Sequence, residues 1–420
     1  MLIGFLSCSN NNVNPGAPGD SDVTTLSPQA TATPETTADP SDATGADVET
    51  SAPEATTGPE DLFCGIVVTS SDGSEIQPKY INGVATFILE DGTFYVSGKS
   101  TKEIQLVCRG RSAAVGLNGV EIHNKLVTPV TFSAVYGVLD LLRDSIISYE
   151  YEPSSDSENQ PAPCVSASSD CQQLQIVSDD KNAKLEISSA FGSAIEGRSS
   201  IIIRGINLVL KSRYDCVTCM GDAISITDSN ISFDAGRYGF YAHKGDGETI
   251  KGDSVIHFFD SNNVTGEFAV GGFVADAVVS FWGNYSVVAI KAKENTAAST
   301  AIMAYDAVRI EGGTIKLSAD YGILSTAGAS MKVDNTVLKS AGKVDISRGK
   351  IEISAADSCI DCKDLIVTGG TVVLGGSGDG IKAETVNMEN GEMTIDVSGH
   401  SIFPGADVKT SGGRIKGYTP

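Results

Sequence analysis

The sequence predicts an all-β protein folded as a right-handed, single-stranded parallel β-helix with three sides and 21–24 residues per coil. Short segments that begin with glycine recur at a nearly constant spacing, and apolar residues alternate with polar ones inside each segment. The 420-residue chain also contains 45 glycines, but only 6% of its residues are aromatic. Many turns with few bulky side chains favour a solenoid over a helical bundle.

The repeat is clearest near the C-terminus. The segments GKIEIS, GTVVLG, GEMTID and GRIKG begin 21, 21 and 22 residues apart, at Gly349, Gly370, Gly391 and Gly413. Alternation with period two inside each segment predicts a strand. Two further apolar series follow at similar spacing, and these are Ile360, Ile381, Ile402 and Leu365, Val386, Val408. Three inward-facing groups per repeat predict three strands per coil, each stacked on the next coil.

The upstream repeat is looser. KLEIS, NLVLK, NISFD and SVIHF begin 23, 23 and 24 residues apart, at Lys184, Asn207, Asn230 and Ser254. An insertion is expected between Ser254 and Gly313, and the segment from Cys64 to about Val130 is expected to form the first coils and a cap. One solenoid over residues 61–420 therefore accounts for the length of the chain.

The N-terminus has a different character. Residues 1–8 resemble the end of a bacterial lipoprotein signal with Cys8 as the lipidated residue, and an ordinary disordered terminus is the alternative. Residues 9–60 contain nine acidic residues and no Lys or Arg, which predicts a disordered acidic Thr/Ser/Pro linker. A cell-surface or secreted location is therefore expected, with membrane contact only through the lipid anchor.

Nine cysteines are typical of an exported protein. Ile224 and Ile360, the repeat positions near the two CxxC pairs, are 136 residues apart, which is about six coils. The pairs are then on the order of 29 Å apart in a β-helix, too far for one shared zinc ion. Each pair is predicted to form a local disulfide or to stack as thiols. The disulfide candidates are Cys164, Cys171, Cys216, Cys219, Cys359 and Cys362.

Charge and motifs exclude some functions. The formal net charge of −23 argues against a nucleic-acid partner, because phosphate binding requires a basic surface. None of the four histidines lies in a recognisable nucleophile motif, so no catalytic residue is predicted.

Several segments resemble a known family. FGSAIEGRSSIIIRG at residues 191–205, with the coil segments GDAISI, YGFYA, DYGILS and SGDGIKAE, resembles bacterial exported carbohydrate-binding β-helix proteins. That family is similar in fold to pectate lyases but is regarded as non-catalytic. Its members bind acidic plant polysaccharides such as polygalacturonate, and calcium is associated with their coils. The resemblance extends from Cys64 to the end of the chain and implies a carbohydrate-binding protein, expected to be a monomer. A polysaccharide lyase and a surface adhesion protein without a sugar ligand are the alternatives.

The resemblance also implies metal ligands. The family's turn pattern is Asp, Gly-Ile, a polar residue and then an acidic one, and Asp379 to Glu384 matches it, whereas Asp222 with Ala223-Ile224 matches in part. By repeat position Asp357 and Asp361 belong to the adjacent coil, so these carboxylates are expected to share one corner. The predicted calcium ligands are Asp222, Asp357, Asp361, Asp379 and Glu384.

A purely structural interpretation of the same turn competes with calcium. Gly378 and Gly380 would supply positive φ, Asp379 would cap its own turn, and Asp361 would pair with Lys382 on the surface. Four residues are predicted to bind the sugar ligand. The rings of Tyr238, Tyr241 and Trp282 would stack on pyranose faces, and Lys382 would supply a cation. An acidic protein that binds an acidic polymer requires a bridging cation, which calcium would supply.

Overall fold

The computed structural model describes residues 63–151, 162–244, 253–294, 298–325 and 342–418. The predicted signal remnant, Cys8 and the linker lie outside these residues. The described residues form 33 β-strands joined in one continuous sheet, with no helix among them. Accordingly, no helix in the described ranges could cross a membrane.

Three strands make one coil, and each strand pairs in parallel with the strand three positions later. Ile195–Gly197 pairs with Val217–Cys219, and the two strands that follow each of them pair in the same way. Three parallel stacks result, and the chain visits stack 1, stack 2 and stack 3 in that order before it begins the next coil. The predicted parallel β-helix with three strands per coil is confirmed.

The strands are distributed over the stacks as follows. Stack 1 contains Val130–Phe132, Val165–Ala167, Ile195–Gly197, Val217–Cys219, Tyr238–Ala242, Gly271–Ala275, Thr300–Ala304 and Asp379–Lys382. Stack 2 contains Tyr136–Arg143, Gln173–Val177, Ser200–Arg204, Ala223–Thr227, Val255–Phe259, Val278–Phe281, Asp364–Val367, Thr385–Met388 and Asp407–Thr410. Stack 3 contains Ser145–Tyr149, Lys184–Ser189, Asn207–Ser212, Asn230–Ala235, Asn263–Phe268, Val287–Ala292, Thr371–Gly376, Glu392–Val397 and Arg414–Lys416. Four long strands turn corners and serve more than one stack, and these are Val84–Lys99, Ile104–Asn124, Ala307–Ser325 and Lys343–Asp361.

Antiparallel strands begin the described solenoid. Ile66–Ser70 pairs antiparallel with Glu75–Ile76 and with the second half of Val84–Lys99, whose first residues pair antiparallel with Lys79–Ile81. Parallel pairing starts where Ala85 meets Ile104. The antiparallel strands pair with the sheet edge of the first coil, which limits edge-to-edge association.

Inward-facing side chains form continuous apolar rows along the axis. In stack 1, Ile360, Ile381 and Ile402 are in register, as the spacing predicted, and Ile323 precedes them in the same row. The first three are fully buried. In the middle coils the interior is aromatic, with neighbouring ring centroids 4.7–6.1 Å apart, and its rings belong to Phe233, Phe240, Phe258, Phe273 and Phe281.

The predicted register upstream of Gly313 is wrong at one point. Ser254 does not continue the series of Asn230, because Asn230 pairs with Asn263, 33 residues later. Val255–Phe259 belongs to stack 2 instead, where it pairs with Ala223–Thr227. The strands from Val255 to Ala304 continue the coils in regular order, so the expected insertion does not interrupt them. Alternation identifies a strand but not its side of the coil, which explains the error.

Several coils exceed the predicted 21–24 residues. The steps from Ile147 to Ile187, from Asn230 to Asn263, from Val287 to Thr314 and from Thr314 to Lys350 span 40, 33, 27 and 36 residues. They contain residues 152–161, 245–252, 295–297 and 326–341, which lie outside the described ranges.

The predicted disulfides are not present among the described cysteines, all eight of which are buried free thiols. The two thiols of a CxxC pair have different hydrogen-bond partners. Cys216 Sγ donates to the carbonyl of Asp234 at 3.4 Å, 18 residues further along the chain, whereas Cys219 Sγ donates to that of Ser199 at 2.9 Å in the previous coil. The six disulfide candidates are therefore buried free thiols, and these are Cys164, Cys171, Cys216, Cys219, Cys359 and Cys362. Cys219 lies in register between Gly197 and Ala242, so it does not stack on another cysteine.

Candidate functional site

A groove of about 600 Å³ lies at the corner where the chain passes from stack 3 into stack 1. A smaller hollow of about 330 Å³ shares Asp320, Ala356 and Ser377 with it, so the two are continuous. The groove is lined by Ala298, Asp320, Tyr321, Ala356, Asp357, Ser377, Gly378, Asp379 and Gly399.

Three consecutive coils supply the carboxylates of the groove. Asp320 and Asp357 each precede the first residue of a stack 1 pairing, and Asp379 is itself such a residue, in register with Ser358. Adjacent coils are about 4.8 Å apart, so acidic groups recur along the axis at nearly the strand spacing. The same register places the Tyr321 side chain at the groove.

Gly378 and Gly380 have a different role from the one predicted. Neither has positive φ, in contrast to Gly376 with φ of 130°. A Cβ on Gly378 would lie 2.2 Å from the carbonyl oxygen of Asp357, and one on Gly380 would lie 2.5 Å from that of Ser401. These glycines are therefore required by the close approach of neighbouring coils and not by an unusual backbone conformation.

Asp357 is held by two donors. Lys382 Nζ donates to Asp357 Oδ1 at 2.7 Å, and the Tyr321 hydroxyl donates to Oδ2 at 2.5 Å. Burial raises the pKa of Asp357, but the hydrogen bonds from Lys382 and Tyr321 outweigh it, so the net pKa is lowered. Burial, followed by the hydrogen bond to Asp357, raises the pKa of Tyr321. The groove thus holds an ionised carboxylate beside a neutral phenol at neutral pH.

Asp379 is held by the following coil. His400 donates from its backbone N–H to Asp379 Oδ1 at 2.8 Å, and its Nδ1 lies 3.2 Å from the same oxygen. The other oxygen is 3.5 Å from Lys382 Nζ. Burial raises the pKa of Asp379, whereas the hydrogen bonds from His400 and the charge of Lys382 lower it, and the lowering is larger. Asp379 therefore accepts bonds from the next coil and does not only cap its own turn.

Asp320 continues the acidic row towards the preceding coil. Its Oδ2 accepts hydrogen bonds from the backbone N–H of Ser299 at 2.8 Å and from the Ser299 hydroxyl at 2.9 Å. Sequence reasoning missed Asp320 and Tyr321. The signal was available, because Asp320-Tyr321-Gly322-Ile323 has the same Gly-Ile ending as the turn at Asp379.

Of the four carboxylates predicted to share one corner, Asp357 and Asp379 line the groove, whereas Asp361 and Glu384 do not. Asp357 and Asp379 lie at the start of stack 1 strands, whereas Asp361 and Glu384 lie at or beyond their ends, and each strand residue advances the chain by about 3.3 Å. No group of three or more His, Cys, Asp or Glu side chains that could hold a metal occurs in the described ranges. Asp361 is in register with Lys382, as predicted, but the Lys382 ammonium contacts Asp357 and Asp379.

Asp222 lies several coils away, where Lys244 Nζ is 3.3 Å from its Oδ1. Of the two tyrosines predicted to stack on sugar, Tyr238 is buried and Tyr241 is partly buried. Tyr238 is 7% exposed and packs with Tyr241, Val274, Met303 and Leu324. The guanidinium of Arg237 lies over the Tyr238 ring, 5.0 Å from its centroid. The same guanidinium forms a bidentate ion pair with buried Asp215.

Trp282 is on another face of the solenoid. Its side chain follows Val278–Phe281 in stack 2 and is 48% exposed, so it can meet a ligand. It is not part of the groove.

One comparison with known proteins bears on this geometry. A family model described as "Carbohydrate-binding domain-containing protein" matches residues 263–419. Searches of curated proteins and of solved structures gave no match. The matched segment includes every residue that lines the groove, and the match supports a carbohydrate-binding role for the chain.

Proposed function

We propose that this protein is a non-catalytic carbohydrate-binding protein and that a polysaccharide lies along the groove of Asp320, Tyr321, Asp357 and Asp379. The observation that carries the proposal is the alignment of these groups from consecutive coils inside the segment that matches a carbohydrate-binding family. A polymer repeats along its length, and a row of polar groups parallel to the solenoid axis repeats as well.

The chemistry of the lining suits sugar hydroxyls. Each carboxylate offers about four acceptor positions, more than the protein donors described above occupy. The cavity volume also falls within the range of about 300–1,000 Å³ that is usual for small-ligand sites.

Binding is favoured over acid–base catalysis by the protonation states. The pKa values of Asp357 and Asp379 are lowered, so neither carboxyl is held protonated as a general acid at neutral pH. The pKa of Tyr321 is raised, so little phenolate is present at neutral pH to act as a base.

An acidic polysaccharide such as polygalacturonate, with calcium as the bridging ion, is the specific ligand in this proposal. Asp357 and Asp379 would contribute hard oxygen ligands, and carboxylates of the polymer would supply others, because calcium takes six to eight oxygens. The single positive charge of Lys382 now offsets only part of the charge of the two aspartates, and calcium would supply further counter-charge. In this proposal the protein is either held at the cell surface by a lipid on Cys8 or secreted.

Binding to a panel of immobilised polysaccharides, with calcium and with chelator, tests the proposal. We expect polygalacturonate to be retained in calcium and lost in chelator. Asp357→Ala and Asp379→Asn should weaken retention, whereas Asp407→Asn, a change to an exposed carboxylate that pairs with Lys409, should not. Equal retention of all variants would contradict the groove, and equal retention in chelator would contradict calcium.

Two further measurements address the alternatives and the metal. Unsaturated product from polygalacturonate would indicate a lyase, and no binding to any polysaccharide would favour an adhesion protein without a sugar ligand.

Millimolar calcium should raise the melting temperature of the parent more than that of Asp379→Asn, because a ligand stabilises only the state that binds it. No calcium effect on the parent would contradict the metal part of the proposal.

A further inference from the structure

A second surface that suits a sugar lies on the outer face of stack 2, where three rings from adjacent coils meet. The N–H of Trp282 donates to the carbonyl of Phe258 at 2.8 Å, so Trp282 continues the parallel ladder beside Phe259. The Trp282 and Phe259 ring centroids are 5.5 Å apart, and His257 lies 5.5 Å from Phe259 and 6.1 Å from Trp282. The indole remains 48% exposed at the edge of this cluster.

An arginine stands next to the rings. Arg309 follows His257 and Ser280 in the same outward column of stack 2. It is exposed, and no carboxylate of the described ranges lies within ion-pair distance of it. Burial lowers the pKa of His257, and the positive charge of Arg309 lowers it further, which is consistent with a guanidinium near the imidazole.

Charges of both signs surround the arginine. Asp345, the next residue of the column after Arg309, pairs with Lys343 at 2.9 Å. Glu311, which follows Ile310 in the coil beside Trp282, is in register with Arg348, and Asp260 follows Phe259. The preference for an anion at this surface therefore depends on the guanidinium of Arg309, which has no ion-pair partner among the described carboxylates.

We infer that this surface binds an anionic sugar residue, with the pyranose face on Trp282 and a carboxylate or sulfate on Arg309. An indole offers a large apolar face to sugar C–H groups, and a guanidinium donates two parallel hydrogen bonds to an oxyanion. The inference rests on the carbohydrate-binding role proposed above, but it requires neither the groove nor calcium.

Trp282 is the only tryptophan in the sequence, so its fluorescence reports on this surface alone. The parent protein is titrated in chelator with an oligogalacturonate, with its methyl ester, and with sulfated and unsulfated forms of one neutral oligosaccharide. Charged sugars should change the emission and saturate, whereas the uncharged partner of each pair should bind roughly tenfold more weakly. The two charged arms distinguish a carboxylate from a sulfate as the anion.

Variants separate this surface from the groove. Arg309→Gln should weaken binding roughly tenfold, whereas Arg414→Gln, a change to an exposed arginine in stack 3, should leave it unchanged. Asp407→Asn, a change to an exposed carboxylate outside both surfaces, should also leave the fluorescence titration unchanged. An unaltered dissociation constant for Arg309→Gln, or equal binding of charged and uncharged sugars, would overturn the inference. If groove variants lose polysaccharide in calcium while Trp282 never responds, this inference fails and the proposed function stands.

Discussion

Gly378 and Gly380 show how closely the coils approach one another at the groove. Gly378→Ala would place Cβ 2.2 Å from the Asp357 carbonyl oxygen, so the backbone of one coil has to move. We expect a loss of about 1–3 kcal/mol in the free energy of unfolding, measured by urea titration. Gly375→Ala is the control, because its Cβ would meet only the Asp396 carbonyl oxygen at 3.5 Å. Equal losses for the two variants would show that contact distance does not decide the requirement for glycine.

Lys382 makes the stability of this corner depend on pH. The pKa values of Asp357 and Asp379 are lowered by folding, so their contribution is complete above about pH 4 and disappears as pH falls through the folded values. Lys382→Met should cost about 1 kcal/mol or less at pH 7, because the pair is partly exposed. Urea unfolding at pH 7 and pH 3 should show this difference between parent and variant shrinking in acid. A difference that stays constant would mean that the ion pairs contribute nothing.

At the scale of the strand, the inward rows supply the stability. Ile360 is fully buried between Ile323 and Ile381, whereas Ile366 in the same coil faces outward and is only partly buried. Ile360→Ala should therefore lower the free energy of unfolding by about 2–5 kcal/mol, and Ile366→Ala should lower it by much less. Urea unfolding of both variants measures the contrast. Similar losses would contradict the assignment of inward and outward faces.

The cysteines stabilise their strands as buried apolar groups. Burial raises the pKa of the thiols of Cys219 and Cys359 to about 11, so few thiolates form near neutral pH. In a Cys8→Ser variant, a thiol reagent should label the native protein slowly and all eight remaining cysteines after unfolding. A reductant should leave the melting temperature unchanged. Rapid native labelling, or a lower melting temperature in reductant, would contradict the buried thiols.

Across the whole molecule, stability should vary along the axis because each coil contacts only its neighbours. The middle coils contain the phenylalanine interior, whereas the last strands, Asp407–Thr410 and Arg414–Lys416, are mostly exposed. Among the described strands, hydrogen exchange measured by mass spectrometry should be slowest in those from Ala223–Thr227 to Val287–Ala292 and fastest in Asp407–Thr410 and Arg414–Lys416. Uniform protection would indicate one cooperative unit instead of graded coils.

The sequence by itself determined the parallel β-helix, because near-constant glycine spacing and period-two alternation leave stacked coils as the way to bury every apolar row. Its regular C-terminal spacing also predicted the register of Ile360, Ile381 and Ile402. Only the tertiary structure decided which side chains meet between coils. The flexible stem of Lys382 reaches Asp357 and Asp379, while Glu384 lies beyond the strand that separates it from them. Arg309 likewise comes beside Trp282 only because the intervening turns set the coil register. The repeat period specifies neither the lengths of the turns nor the side-chain rotamers. The residues that meet at the site could therefore be identified only in the folded chain.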